Sequence, residues 1–262
     1  MNTWAVMRMT LVCALVLQGC TASDITIESF SNPSLTWKQQ NDPVMGGRST
    51  GTFRVQDGVG VFDGQVVNVP RLKAPGFIQV IGDGSFPDIS SCSSLVLTVQ
   101  AAQAYAGYRV SFGKTHAPGG KFFANGYKSH FDAPVGKFAD VTILLKNFSD
   151  YWDDATGDII RTCQDNEIYC PDTKTLKDMQ TLKIWAEGKA GDVHLQISQI
   201  RASGCTEIRD SVTTLQSTFN STCSAPVQSN LRYNLSHTDA AQDWAFPLPP
   251  GEDLSSAVCC DA

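Results

Sequence analysis

The chain has 262 residues, 42% of them hydrophobic and 18% charged, which is enough apolar material for one principal domain with an addition rather than two full domains. Its 20 basic and 26 acidic side chains leave a formal charge of -6 and a pI near 5.1, with no block of like charge, which argues against a nucleic-acid partner. The 21 Gly in this mixture suit a β-rich globular protein rather than a disordered or fibrous one.

At the amino terminus, Arg8 precedes the apolar run "MTLVCALVL", which has the length of a signal-peptide core and is too short to cross a bilayer. Residues 1–22 are expected to be a secretory signal, with small residues Cys20 and Ala22 three and one positions before a cut ahead of Ser23. The alternative is a lipobox-like "LQGC" that would keep a lipidated Cys20, a pattern that Gln18 fits poorly. The expected destination is secreted or the endomembrane lumen, the alternatives being an organelle reached through such a signal or a lipid anchor at Cys20. No other run approaches the roughly 18 apolar residues of a membrane span.

Next comes "WKQQNDPVMGGRSTGTF", Trp37 to Phe53. Pro43 fixes φ, Asn41 and Asp42 can bond nearby amides, and Gly46 and Gly47 allow positive φ, so a tight turn is expected to feed a strand at Thr52. Short alternating runs follow: "TFRVQ", "GVFDGQVV", "GFIQVI", "SLVLTVQA", "GYRVSFG", "FADVTILLK", "TLKIWAE" and "DVHLQISQI". Tyr108, Val110 and Phe112 share one face, as do Val193, Leu195 and Ile197, which puts His194 on the outward side. Hairpin-scale gaps and the lack of crossover helices predict an all-β sandwich of two antiparallel sheets over residues 24–202. Residues 203–262 turn Ser/Thr/Pro-rich and bear Cys, and form an appendage too poor in apolar residues to build a core. One helix is expected there from Ile208, Val212, Leu215 and Phe219.

The order Trp37, "NDPVMGGRSTGTF", "FDGQVV", "PGFIQVI" resembles the complex I intermediate-associated protein 30 family, with later matches in "GYRVSFG", "GYKSHFDAPVGKFADVTILLKNFSDYW" and "LKDMQTLKIWAEGKAGDVHLQISQIRA". The resemblance implies a galactose-binding-like jelly roll. It also implies a chaperone-like, non-catalytic partner in assembly, as in the mitochondrial namesakes, from which the signal and the Cys-bearing tail depart. Trp37, Asn41, Asp42, Met45, Gly46, Gly47 and Ser49 carry the match. They either hold the first loop in shape or present a surface to a ligand or partner.

Other motifs do not reach chemistry. In "GYRVSFGKT" five residues rather than four separate Gly107 from Gly113, so no phosphate-binding loop is expected. Asp150, Asp153, Asp154 and Asp158 miss the EF-hand spacing and read as a solvated acidic loop. His116, His130, His194 and His237 form no ligand pair, no Cys-His spacing supports zinc, and GxSxG is absent. Neither metal nor cofactor is expected.

With Cys13 and Cys20 in the signal, seven Cys remain: Cys92, Cys163, Cys170, Cys205, Cys223, Cys259 and Cys260. Cys163 with Cys170 and Cys205 with Cys223 are the candidate disulfides, although spacing alone does not settle connectivity. Asn147, Asn220 and Asn234 stand in glycosylation sequons. The expectation is thus a non-enzymatic binding protein whose partner is another protein. The alternative is an extracellular carbohydrate-binding module, for which Tyr151 and Trp152 beside the acidic loop are the aromatic candidates.

Overall fold

The computed structural model describes residues 23–42, 46–70 and 74–206. The signal segment, Met45, the tail helix, His237, Cys223, Cys259, Cys260, Asn220 and Asn234 lie outside the described residues. The strands in chain order are β1 (Ser23–Ser29), β2 (Thr36–Asn41), β3 (Thr50–Gln56), β4 (Val59–Val66), β5 (Asn68–Val69), β6 (Ala74–Pro75) and β7 (Phe77–Asp83). Then come β8 (Ser94–Ala101), β9 (Tyr108–Phe112), β10 (Tyr127–His130), β11 (Ala139–Leu144), β12 (Leu182–Glu187) and β13 (Gly191–Cys205). One short helix, α1 (Thr173–Lys177), starts on the Asp172 side chain, which accepts from the Thr175 N–H.

Two antiparallel sheets result, a sandwich of the jelly-roll kind. One runs β11-β8-β13-β4-β3, with β1 also on β13; the other runs β10-β9-β12-β7-β2. β13 is the common partner of the first sheet. Residues 191–197 pair with β4, residues 199–205 with β1, and β8 lies along its other edge. A register shift between Ile197 and Gln199 divides the two halves. Val193, Leu195 and Ile197 point inward before it and Ile200 and Ala202 after it, so the bulge moves the apolar set by one residue. Facing them from the second sheet are Ile78, Val80, Tyr108, Val110, Phe112, Leu182 and Ile184, all buried.

The first turn is organised by a buried carboxylate. Glu28, at 0% exposure, accepts from the N–H groups of Ser29 (2.8 Å) and Ser34 (3.0 Å) on Oε1 and from Leu35 (3.1 Å) and Trp37 Nε1 (2.8 Å) on Oε2. Four donors on one ion satisfy it without a counter-charge and fix the path from β1 into β2.

Cys163 bonds to Cys170. The expected Cys205–Cys223 bridge is corrected, because Cys205 bonds to Cys92. The reason is the length of β13, which carries Cys205 alongside the segment that precedes β8. There Ser93 N–H donates to Ser203 O at 3.1 Å and Thr206 N–H to Ser91 O at 3.0 Å. Among the described residues no helix is long and apolar enough to cross a membrane.

The Cys92–Cys205 bond closes a loop across a sequence separation of 113. Cys92→Ser should lower the unfolding free energy by about 2–4 kcal/mol. Denaturant titration of the variant beside the oxidised wild type measures it, and equal midpoints would contradict a stabilising role.

Candidate binding cleft

Strand register places one row of side chains across the outer face of the second sheet: Gln40 opposite Gln79, Gln79 opposite Trp185, Trp185 opposite Arg109, and Arg109 opposite His130. The neighbouring row holds Lys183, Ser111 and Lys128. An outer face would ordinarily be wet and polar, yet Arg109, Ser111, Lys128, Trp185 and Glu187 are buried. The segment 149–160 lies over them.

Its anchor is an ammonium group. Lys128, at 0% exposure, places Nζ 2.6 Å from Glu187 Oε1, 3.4 Å from the Trp152 ring centroid and 3.9 Å from that of Trp185. Burial drives the Lys128 pKa down to about 8, with the Glu187 carboxylate opposing the shift. Both indoles are tied by their N–H groups, Trp152 to Gly126 O at 2.9 Å and Trp185 to Ser111 Oγ at 2.8 Å. Gly157, at φ 74°, has no room for a Cβ because the Glu187 carboxyl occupies that space. Arg109 adds a second clasp to Asp158 at 2.9 Å.

Beside this anchor the sheet and the covering segment leave a cleft of about 490 Å³. Gln40, Phe77, Gln79, Lys183 and Trp185 form its sheet wall. Trp152, Asp154, Ala155 and Phe123 form the opposite one, and Asp42, Val69 and Gly76 close the end. Phe123, 68% exposed, lines the cleft at its mouth, and Phe122, 80% exposed, packs against it with ring centroids 4.7 Å apart. Their loop is ordered by its own bonds: Phe123 N–H donates to Asp154 Oδ2 at 3.1 Å, Ala124 N–H to Lys121 O at 2.9 Å and Gly126 N–H to Thr115 O at 2.6 Å.

The residues singled out in the first turn divide between scaffold and cleft. Trp37 packs its ring 5.4 Å from Phe30 and 5.5 Å from Phe53, and Asn41 Oδ1 accepts from Gly51 N–H at 2.8 Å. Ser49 Oγ accepts from Val67 N–H at 3.1 Å. Gly46 has φ 83° and is exposed. Gly47 is not at positive φ, contrary to expectation; it is confined for another reason, since a Cβ there or on Gly76 would fall on the Asp42 carboxyl. Among the described members of the set, Asp42 reaches the cleft.

Trp152 is 2% exposed, so it is a wall closed behind by Lys128 rather than an open stacking platform. Tyr151 is half-buried against Tyr169, 5.2 Å between centroids. The acidic loop is bonded within itself, Asp153 Oδ1 accepting from the Ala155 and Thr156 N–H groups at 3.0 Å. Asp150 is buried instead of solvated, with Oδ1 unpartnered. Among the described residues no group of three or more His, Cys, Asp or Glu could hold a metal ion. His194 Nδ1 lies 3.2 Å from Asp63 on the outward face, His116 Nε2 meets Lys121 O at 2.9 Å, and "GYRVSFG" is β9. Asn147 is exposed at the end of a 3-10 turn whose Leu145 is buried. Sequence reasoning passed over Gln40, Gln79, Phe77, Phe122, Phe123, Lys128 and Glu187. The available signal was Gln79 and Glu187 within the apolar strands β7 and β12, whereas Gln40 and Lys128 stand in polar ones.

Residues 28–197 match the family model described as complex I intermediate-associated protein 30 (CIA30). The chain belongs to that family. No curated protein matches this CIA30 member significantly. Among solved structures, it is similar to a family 11 carbohydrate-binding module from Clostridium thermocellum in complex with a mixed-linked tetrasaccharide: 12% identity, 70% of this chain and 97% of that one, TM-score 0.44. A solution structure of a module of the same kind gives 11% identity over 71% and 98% of the two chains, TM-score 0.46. An agarase gives 9% identity and TM-score 0.42, with 68% of this chain against 26% of the enzyme.

Two tests address the buried charges of this CIA30 domain. Lys128→Met leaves Glu187 without a counter-ion and should cost about 3–5 kcal/mol, most of it recovered in Lys128→Met/Glu187→Leu; additive losses in denaturation would contradict the pairing. Burial raises the Asp150 pKa from 3.8 to about 6. The folded state therefore holds that proton more tightly, and the group's contribution to stability is present below about 3.8 and lost as pH rises to about 6. Asp150→Asn should remove this fall, seen as a wild-type minus variant stability difference that changes across that window.

Proposed function

We propose that this protein is a non-catalytic binding protein of the assembly-factor type, which holds another polypeptide at the mouth of the outer-face cleft. The observation that carries it is the Phe122–Phe123 pair, 80% and 68% exposed on a loop with its backbone bonded in place. Ordered aromatics presented to water beside a cleft are the usual anchors of a protein interface. Family membership supports the same reading.

A binding rather than catalytic role is supported by how the acidic groups are used. Glu28, Asp153 and Asp172 bond backbone amides, Asp158 pairs with Arg109, and Glu187 pairs with Lys128. These five are committed to structure and Asp150 is buried away from the cleft, which leaves Asp154 as a cleft carboxylate with a free oxygen and, among the described residues, no second acid or base paired with it for proton transfer. The two disulfides, Cys92–Cys205 and Cys163–Cys170, support a secreted or lumenal setting, where such bonds persist.

The test is affinity capture from the source organism with the wild type and with Phe122→Ser/Phe123→Ser. A co-purifying polypeptide should fall by roughly tenfold or more in the double variant, the scale of a hot-spot loss, with the melting temperature unchanged. Equal capture by both would overturn the assignment of the surface.

A further inference from the structure

We propose that the cleft is a binding site for neutral sugar rings; this rests on the reading above that the cleft region is the protein's binding surface. The first observation is Gln79. It is 5% exposed, its Nε2 donates to Gln40 Oε1 at 2.6 Å, and its Oε1 has no hydrogen-bond partner. It lies on the cleft wall. A buried acceptor without a donor is costly, and native proteins rarely keep one without use. That oxygen is itself closed to solvent, so a ligand hydroxyl supplies the missing donor once the Gln79 amide turns toward the cleft that the residue lines.

The second observation is what surrounds that oxygen. Half-buried Phe77, backed by the buried Trp185 ring 5.6 Å away between centroids, shares the wall with Gln79, and the exposed Phe123 lines the cleft from the loop. Interspersed with these rings are a donor, the Lys183 ammonium, and an acceptor, the second oxygen of Asp154, whose first is taken by Phe123 N–H. Aromatic planes bordered by donors and acceptors together match a pyranose, which has apolar C–H faces and a rim of hydroxyls. An anionic ligand would need more cation than Lys183, because Lys128 is already matched by Glu187. The volume, about 490 Å³, lies within the roughly 300–1,000 Å³ of small-ligand sites.

Sugar rings reach such a cleft from two sources, a glycan borne by a polypeptide or a free polysaccharide. The experiment applies the full-length protein to an array of neutral and charged glycans. In parallel, it repeats the capture of the partner polypeptide before and after enzymatic removal of its glycans. Gln79→Leu and Phe123→Ser are run beside the wild type. Retention on a neutral glycan class is expected, reduced tenfold or more in both variants. Because Gln79→Leu deletes the unpartnered acceptor, its melting temperature should be unchanged or higher, which separates ligand loss from misfolding. Capture abolished by glycan removal assigns a protein-borne source, and insensitive capture with array binding assigns a free one. Array silence, or equal retention by Gln79→Leu, overturns the sugar site. Array silence with Phe-dependent capture that survives glycan removal leaves the partner-holding reading intact, whereas array binding with no captured polypeptide leaves the sugar site and overturns that reading.

Discussion

An ammonium group on the face of a β-sheet, covered by protein, is tolerable only if its charge is matched and its protons are placed. Lys128 meets that condition with Glu187 on one side and two indole faces around it. Trp185 belongs to the sheet, but Trp152 arrives on the segment that follows β11, so solvating this cation requires that segment to lie flat on the sheet. Gly157 lets the backbone come close to Glu187, and Asp158 reaches Arg109. The cleft exists because of this: one wall is strand, the other is loop held down by charge.

The opposite end of the cleft depends on a different lock. β2 sends Gln39 and Asn41 to the edge of β3, where they accept from Phe53 and Gly51 N–H groups at 2.9 and 2.8 Å. Side chains of one sheet thereby cover the open edge of the other, which removes an invitation to strand addition. The turn motif serves this closure, and Asp42 carries it into the cleft, seated where Gly47 and Gly76 leave room. Scaffold and site are thus neighbours within one short stretch of sequence.

The sandwich was legible because alternation in β9 and β13 marked Tyr108, Val110, Phe112, Val193, Leu195 and Ile197 as one side of a sheet. Cys163 and Cys170 were legible by closeness. What lay beyond the sequence were relations between distant segments. Cys92 and Cys205 meet only because β13 continues past Ala202. Lys128 in "GYKSHF" faces outward by its strand position, and nothing local says that Trp152 will cover it. The exposed Phe122 and Phe123 carried no local signal either, since paired aromatics in a loop read equally well as core.

The Cys92–Cys205 bond has a mechanical consequence. β1 begins opposite the end of β13, with Ser23 across from Cys205, so tension applied to the chain on either side of the domain loads that pair of strands as a zipper. Once β1 and then residues 30–91 are drawn out, extension is arrested at the bridge. The residues between Cys92 and Cys205, which include β9, β10, β12 and the segment that covers them, are bypassed by the load. The cover of residues 149–160 over Lys128 would outlast the cleft, whose Gln40, Phe77 and Gln79 lie ahead of Cys92 in the path of the load.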